Sequence, residues 1–171
     1  MKTKASPFSI LITGGAGFVG SNLTRFLLNK DFKVYAVDNF ITGRRENIEP
    51  FLRHKNFHFV ELDINQPEFF EKFADISVQQ IYHLACPTGV PNIIKLSEEM
   101  LLTCSLGTKN VLELARRHGA KLLFTSSSEI YGCADNKVQC ESYEGKVNPV
   151  GPRSAYEEGK RMIPTVENTV P

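Results

Sequence analysis

The sequence predicts an α/β fold built on a doubly wound parallel sheet, in one domain over residues 1–171. Three observations predict it. An apolar run, Ser9-Ile10-Leu11-Ile12-Thr13, ends in glycines three apart at Gly14, Gly17 and Gly20, and a helical pattern opens there. Short β-rich runs then alternate with helical periods, the order that covers a parallel sheet with helices on both faces. A second strand ends on an acidic residue, Asp38, about 20 positions after the glycine turn. That combination is Rossmann-like.

The elements follow in order. The first strand spans Ser9–Thr13, and the helix after the glycine turn covers Phe18–Leu28. Lys33–Val37 gives the second strand, and Asn39-Phe40-Ile41-Thr42-Gly43-Arg44-Arg45 a loop. Asn56–Leu62 reads as the third strand, closed by Asp63, with a short helix over Glu68–Phe73. The fourth strand is Gln80–His83; the prolines and glycine of Cys86-Pro87-Thr88-Gly89-Val90-Pro91 then forbid regular structure. One long helix is expected from Ile94 to Arg117, ended by His118-Gly119, before a fifth strand at Lys121–Thr125. Right-handed crossovers arrange the strands 3-2-1-4-5, with the carboxyl ends of the first, fourth and fifth around one crevice. A last helix starts near Tyr156 and is expected to end or kink within about two turns, at Pro164. A sheet of six or seven strands needs more chain than this, so the last part of such a sheet is expected to be missing, leaving the fifth strand as an open edge.

Composition narrows the function. With 42% hydrophobic residues and a net charge of +1, there is material for one core and no bias toward nucleic acid. No run reaches the length of a membrane span, and the N-terminal Met1-Lys2-Thr3-Lys4 is not followed by a signal-peptide pattern. Cys86, Cys104, Cys133 and Cys140 form no C-x-x-C pair and no metal-ligand pattern with the four histidines. Reduced thiols in a cytoplasmic protein without a metal are expected.

The glycine turn carries the first chemical expectation. Gly14 supplies a positive φ, Gly17 lets the backbone approach a pyrophosphate, Gly20 lets the helix pack on the strand, and the helix N-terminus offers free N–H groups. Such a turn also occurs without a ligand. Asp38 favours the dinucleotide reading, since a carboxylate there accepts from a ribose 2′-hydroxyl. Downstream, Tyr156 and Lys160 stand four apart and so share a helix face, while Thr125-Ser126-Ser127-Ser128-Glu129 leaves the fifth strand at the carboxyl edge of the sheet. These serines can equally satisfy loop backbone, with Glu129 at a turn. Together, however, the parts make a mechanism. An adjacent ammonium and a positive nicotinamide ring favour a phenolate, so Tyr156 takes a proton from a secondary alcohol while Ser127 holds the same oxygen.

These motifs, from Ser9 to Arg161, resemble the N-terminal portion of the extended short-chain dehydrogenase/reductases of the NAD-dependent sugar-nucleotide epimerase/dehydratase family. The resemblance rests on the glycine loop, Asp38-Asn39-Phe40 with Thr42-Gly43-Arg44, His83-Leu84-Ala85, Ser127-Ser128-Glu129-Ile130-Tyr131-Gly132, and Asn148-Pro149-Val150-Gly151-Pro152-Arg153 leading into Tyr156-Glu157-Glu158-Gly159-Lys160. Within the family the chain is most similar to UDP-glucuronate decarboxylases, because Ser-Glu rather than Asp-Glu follows Ser127. The resemblance implies NAD as a recycled cofactor, a UDP-sugar as substrate, and oxidation at C4, decarboxylation and reduction to UDP-xylose. It implies a catalytic set of Ser127, Glu129, Tyr156 and Lys160, with Lys160 also on the nicotinamide ribose. It implies a cofactor site at Gly14, Gly17, Phe18, Val19, Asp38, Asn39, Thr42, Gly43, Asp63, Ile64 and Ala85, joined by Tyr156 and Lys160. A homodimer of the full-length form is a further implication. The departures are Cys104, where the family commonly has Asn, and the Cys86–Pro91 loop. A sugar-nucleotide 4-epimerase or dehydratase, and a truncated noncatalytic NAD-binding module, are the alternatives.

Overall fold

In a computed structural model of the chain, residues 8–133 and 138–167 are described, the last helix by its backbone alone beyond Ile163. The charged Met1–Lys4 segment lies outside the described residues. Five strands form one sheet in the order β3-β2-β1-β4-β5, every pair parallel. They are β1 (Ser9–Thr13), β2 (Lys33–Asp38), β3 (Phe57–Glu61), β4 (Gln80–His83) and β5 (Lys121–Phe124). The expected order holds, and the strand ends differ by one residue or less.

The central strand explains the two-sided architecture. All five residues of β1 are buried, as a strand covered on both faces requires. Ile10 and Ile12 point into one core with Leu27 and Leu28 of α1 (Phe18–Leu28), Val34, Ala36 and Phe51. Leu11 points the other way, into a core with Tyr35, Val37, Ile81, Phe69 and Phe73 of α2 (Glu68–Phe73), and Val111 and Leu114. β5 lies at one edge of the sheet among the described residues, and its Leu123 is exposed.

The expected long helix is not one helix. It begins at Asn92 and comes in pieces: α3 (Asn92–Lys95), α4 (Ser97–Leu102), a π-helical segment over Thr103–Gly107, and α5 (Thr108–His118). Leu96, at φ −123° and ψ 36°, leaves the helical region and turns the chain between α3 and α4. In the π segment the Ser105 hydroxyl donates back to the Leu101 carbonyl at 2.7 Å, and Gly107 packs so closely on Ile64 and Asn65 that a Cβ would come within 2.7 Å of Ile64 Cδ1. Hydrophobic periodicity does not register either device. The C-terminal end is as expected: Gly119 is left-handed at φ 60° and closes α5.

The last helix does not end at Pro164, one of the two outcomes expected there. α6 runs from Ser154 to Glu167, starting before Tyr156 and continuing past Pro164. Pro164 removes one N–H from the ladder. Packing of α6 against α4 and the π segment, with Ile163 and Lys160 buried, holds the helix despite that local penalty.

The close packing of α1 on β1 sets a first prediction. A Cβ on Gly20 would meet the Gly14 carbonyl oxygen and come within 2.9 Å of the Gly15 Cα, so backbone must move. Gly20→Ala is expected to cost about 1–3 kcal/mol of stability, measured as a shift in the urea midpoint at unchanged slope.

Candidate active site

A cleft of about 290 Å³ opens at the carboxyl edge of the sheet, over β1, β2 and β4. Gly14 turns the chain out of β1 at φ +71°, and a side chain there would press into the Ala85 backbone at 2.9 Å. The helix that follows carries no capping side chain and no acidic residue in its first turn, and Phe18 is 83% exposed. The start of α1 therefore offers N–H groups and positive dipole to an anion.

All the residues expected to contact the adenosine and phosphate portion line this cleft: Gly14, Gly17, Phe18 and Val19 from the turn, Asp38, Asn39, Thr42 and Gly43 from the end of β2, and Asp63, Ile64 and Ala85 from the ends of β3 and β4. The Asp38 carboxylate accepts from Ala16 N–H at 3.0 Å and Phe40 N–H at 2.8 Å. Burial raises its pKa, and those two hydrogen bonds oppose the rise. Asn39 donates to Asp63 Oδ2 at 3.1 Å and steadies the next loop over the cleft. Arg45 pairs with Glu61 at 2.6 Å and lies over the Phe40 ring, while Arg44 contributes its backbone N–H to the Ala16 carbonyl.

The expected catalytic residues lie outside the lining of the cleft, and their helix reaches it through Gly159, which packs on Cys104, whose sulfur touches Cys86 of the lining. Ser127 caps the 3-10 turn Ser128–Tyr131 by accepting from the Glu129 N–H at 3.3 Å. The same hydroxyl favours the ionised form of the Tyr156 phenol, against the effect of burial. Glu129 is not free: Arg153 donates to its Oε2 from two nitrogens, at 2.6 and 3.0 Å. Arg153 is a residue whose part was not evident from the sequence, where it stood only inside a motif.

The charge arrangement departs from expectation. The Lys160 ammonium, 3% exposed, donates to the Thr125 carbonyl at 2.9 Å and sits 4.6 Å from the centre of the Phe124 ring. Tyr156 is raised above the ordinary tyrosine value, chiefly by burial, with Ser127 opposing and the charges of Cys86, Cys104 and Glu129 adding to the rise. Lys160 is not among the groups that shift Tyr156; its ammonium, which as a buried cation needs an acceptor, is directed at the Thr125 carbonyl just after β5.

Two further features escaped the sequence. The Cys86 and Cys104 sulfurs lie 3.7 Å apart. Buried His83 joins β1 to α5: its Nδ1 lies 2.7 Å from Thr13 Oγ1 and its Nε2 3.0 Å from Thr108 Oγ1. The directions follow from the partners. Thr108 donates to the Thr103 carbonyl at 3.4 Å and so accepts from His83 Nε2–H. His83 Nδ1 then accepts from Thr13, whose oxygen receives the Leu84 and Ala85 N–H groups at 3.2 Å each. A histidine ending an apolar strand at the carboxyl edge was the available signal.

The sequence profile of the GDP-mannose 4,6 dehydratase family matches residues 11–167. The chain belongs to this family of extended short-chain dehydrogenase/reductases. Among its relatives it is 48% identical over 157 residues to UDP-glucuronic acid decarboxylase 1 of Xenopus tropicalis, covering 92% of this chain and 36% of that protein. It is 43% identical over 163 residues to UDP-glucuronic acid decarboxylase 6 of Arabidopsis thaliana, covering 94% and 46% respectively. The chain thus spans less than half the length of these relatives. In structure it resembles the Campylobacter jejuni UDP-Glc/GlcNAc 4-epimerase (TM-score 0.78, 27% identity, 93% of this chain and 47% of that one). It also resembles the UDP-glucose 4-epimerase of Thermus thermophilus solved with NAD (TM-score 0.77, 28% identity, 95% and 50%). Family members are NAD-dependent enzymes of sugar nucleotides, and no helix among the described residues is long and apolar enough to cross a membrane.

His83 sets a second prediction. Burial, reinforced by the Lys160 charge, lowers its pKa from 6.5 to about 3. Between those values the unfolded chain binds a proton that the folded chain does not, so stability falls as pH drops from 6.5 toward 3. His83→Gln keeps one donor and one acceptor but cannot titrate. From pH 7 to pH 5 the native protein is expected to lose about 2 kcal/mol more than His83→Gln, at about 1.4 kcal/mol per pH unit, read from urea unfolding at each pH.

Proposed function

We propose that the chain binds NAD in the cleft and forms the cofactor-binding portion of a UDP-glucuronate decarboxylase. The single observation that carries the reading is that the cleft, with Asp38 and an uncapped helix N-terminus, reaches the Tyr156–Lys160 helix through Cys86, whose sulfur touches Cys104, on which Gly159 packs. The relatives at 43–48% identity, named UDP-glucuronic acid decarboxylases, support the choice of reaction.

The residues present fit a dinucleotide. Asp38 faces the cleft with lone pairs beyond those used by Ala16 and Phe40, and the first turn of α1 is open to phosphate. Bound NAD supplies a hydride acceptor that later returns the hydride, and its positive ring favours a phenolate beside it. Ser127 then holds the C4 hydroxyl of the glucuronate, and Tyr156 takes its proton as the carbon is oxidised. The resulting β-keto acid loses carbon dioxide, the enolate left behind takes a proton from water at C5, and Tyr156 returns its proton to the C4 oxygen on reduction. Burial keeps the phenol protonated at rest, so positive charge must approach before Tyr156 acts as a base. Glu129, clamped by Arg153, positions the turn that carries Ser127.

The epimerases among the solved structures favour a second reading, a 4-epimerase with the same proton-transfer residues. In a full-length protein containing this chain, UDP-xylose and carbon dioxide from UDP-glucuronate support decarboxylation, and an epimeric sugar supports the alternative. In that protein Tyr156→Phe is expected to lower turnover by about 10²- to 10⁴-fold with cofactor affinity nearly unchanged, measured by steady-state product formation and cofactor titration. Binding of NAD(H) is expected to be tighter than that of NADP(H), because the Asp38 carboxylate repels a 2′-phosphate and Arg45 is engaged with Glu61. Fluorescence titration with both reduced cofactors checks it, and equal or tighter NADPH binding overturns it.

A further inference from the structure

Cys86 and Cys104 come from different elements. Cys86 follows β4 and lines the cleft, whereas Cys104 is a buried member of the π segment. Their sulfurs, at 3.7 Å, are in van der Waals contact, and no other cysteine is placed this way among the described residues. A disulfide requires about 2.0 Å between the sulfurs, so closure needs an approach of about one bond length. We propose that Cys86 and Cys104 are a reversible dithiol–disulfide pair at the junction of the cleft and the Tyr156–Lys160 helix, oxidised by exchange with a small-molecule disulfide.

The roles of the two sulfurs differ. Cys86 is reachable through the cleft, and its thiolate is favoured by a hydrogen bond with Cys104 and by the Lys160 charge. Cys104, 2% exposed, is pushed the other way by Cys86 and by burial. Cys86 therefore attacks one sulfur of the incoming disulfide, whose S–S bond breaks and releases one thiol after protonation. Cys104 gives up its proton and attacks the Cys86 sulfur, breaking the mixed disulfide and releasing the second thiol. The two cysteines are oxidised by two electrons, and one external disulfide is reduced to two thiols.

The position gives the bond a consequence. Gly159, between Tyr156 and Lys160 on α6, packs on Cys104, where a Cβ would come 3.1 Å from the cysteine Cβ. Closing the disulfide draws the π segment toward the loop after β4 and moves the surface on which the Tyr156 helix rests. Oxidation thereby couples the wall of the cleft to the catalytic helix.

The test uses the full chain carrying C133S and C140S, so that only the pair remains, incubated with glutathione disulfide and mapped by mass spectrometry of non-reduced peptides. A Cys86–Cys104 cross-link that dithiothreitol reverses is the expected result. C104S in the same background is expected to hold glutathione stably on Cys86, while C86S leaves Cys104 unmodified. Two free thiols after treatment, or glutathione accumulating on Cys86 with Cys104 intact, would overturn the proposal. A parallel incubation with NADH separates this from the cofactor reading, on which only the protection arm rests. Slower cross-linking with NADH supports both; cross-linking with no NADH binding by fluorescence upholds the dithiol pair and overturns the cofactor site.

Discussion

The hydrogen-bond chain through His83 is the constraint on which the rest of the site depends. It starts from the Leu84 and Ala85 amides, passes through Thr13 and the imidazole, and ends by way of Thr108 on the Thr103 carbonyl. Every group in it is buried or nearly so, and a buried polar group left without a partner costs about 1–3 kcal/mol. The chain can be satisfied only with one tautomer and one alignment of β1, β4 and the π segment. Ala85 at the cleft, Cys104 beside it, and the seat of α6 all inherit their positions from that alignment.

The π segment follows from the same constraint. A regular helix over 103–107 would carry the Thr103 carbonyl in an ordinary i to i+4 bond; here the Thr108 N–H returns to it from five residues on, and the Thr108 hydroxyl joins it. Cys104 lies in this segment with its sulfur 3.7 Å from that of Cys86, and Gly107 presses on the Ile64 side chain that lines the cleft. One irregularity thus touches the lining of the cleft at both Ile64 and Cys86. Packing of α4 and the π segment on α6 then sustains a helix that contains a proline.

Electrostatics around Tyr156 are set by burial more than by proximity in sequence. Tyr156 and Lys160 share a helix face as the spacing implies, yet the ammonium is directed at the Thr125 carbonyl and the Phe124 ring. The phenol is left with Ser127 for support and with burial against it. Glu129 is held by Arg153, so its carboxylate is paired with a guanidinium.

The sequence by itself determined the sheet. The alternation of β-rich runs and helical periods, with crossover handedness, fixes strand order, and the glycine spacing with Asp38 marks the cleft. Those signals are local: Gly14 and Asp38 act through their own backbone and the ends of their own strands. Only the tertiary structure decided where the long helix breaks, that α6 passes Pro164, that Lys160 faces Thr125, and that Cys86 meets Cys104. Each of these depends on a partner distant in the chain: Gly107 on Ile64, α6 on α4, Lys160 on the end of β5, and one thiol on another 18 residues away. Periodicity records which face of a segment is apolar, and it carries no information about the neighbour that the face will find.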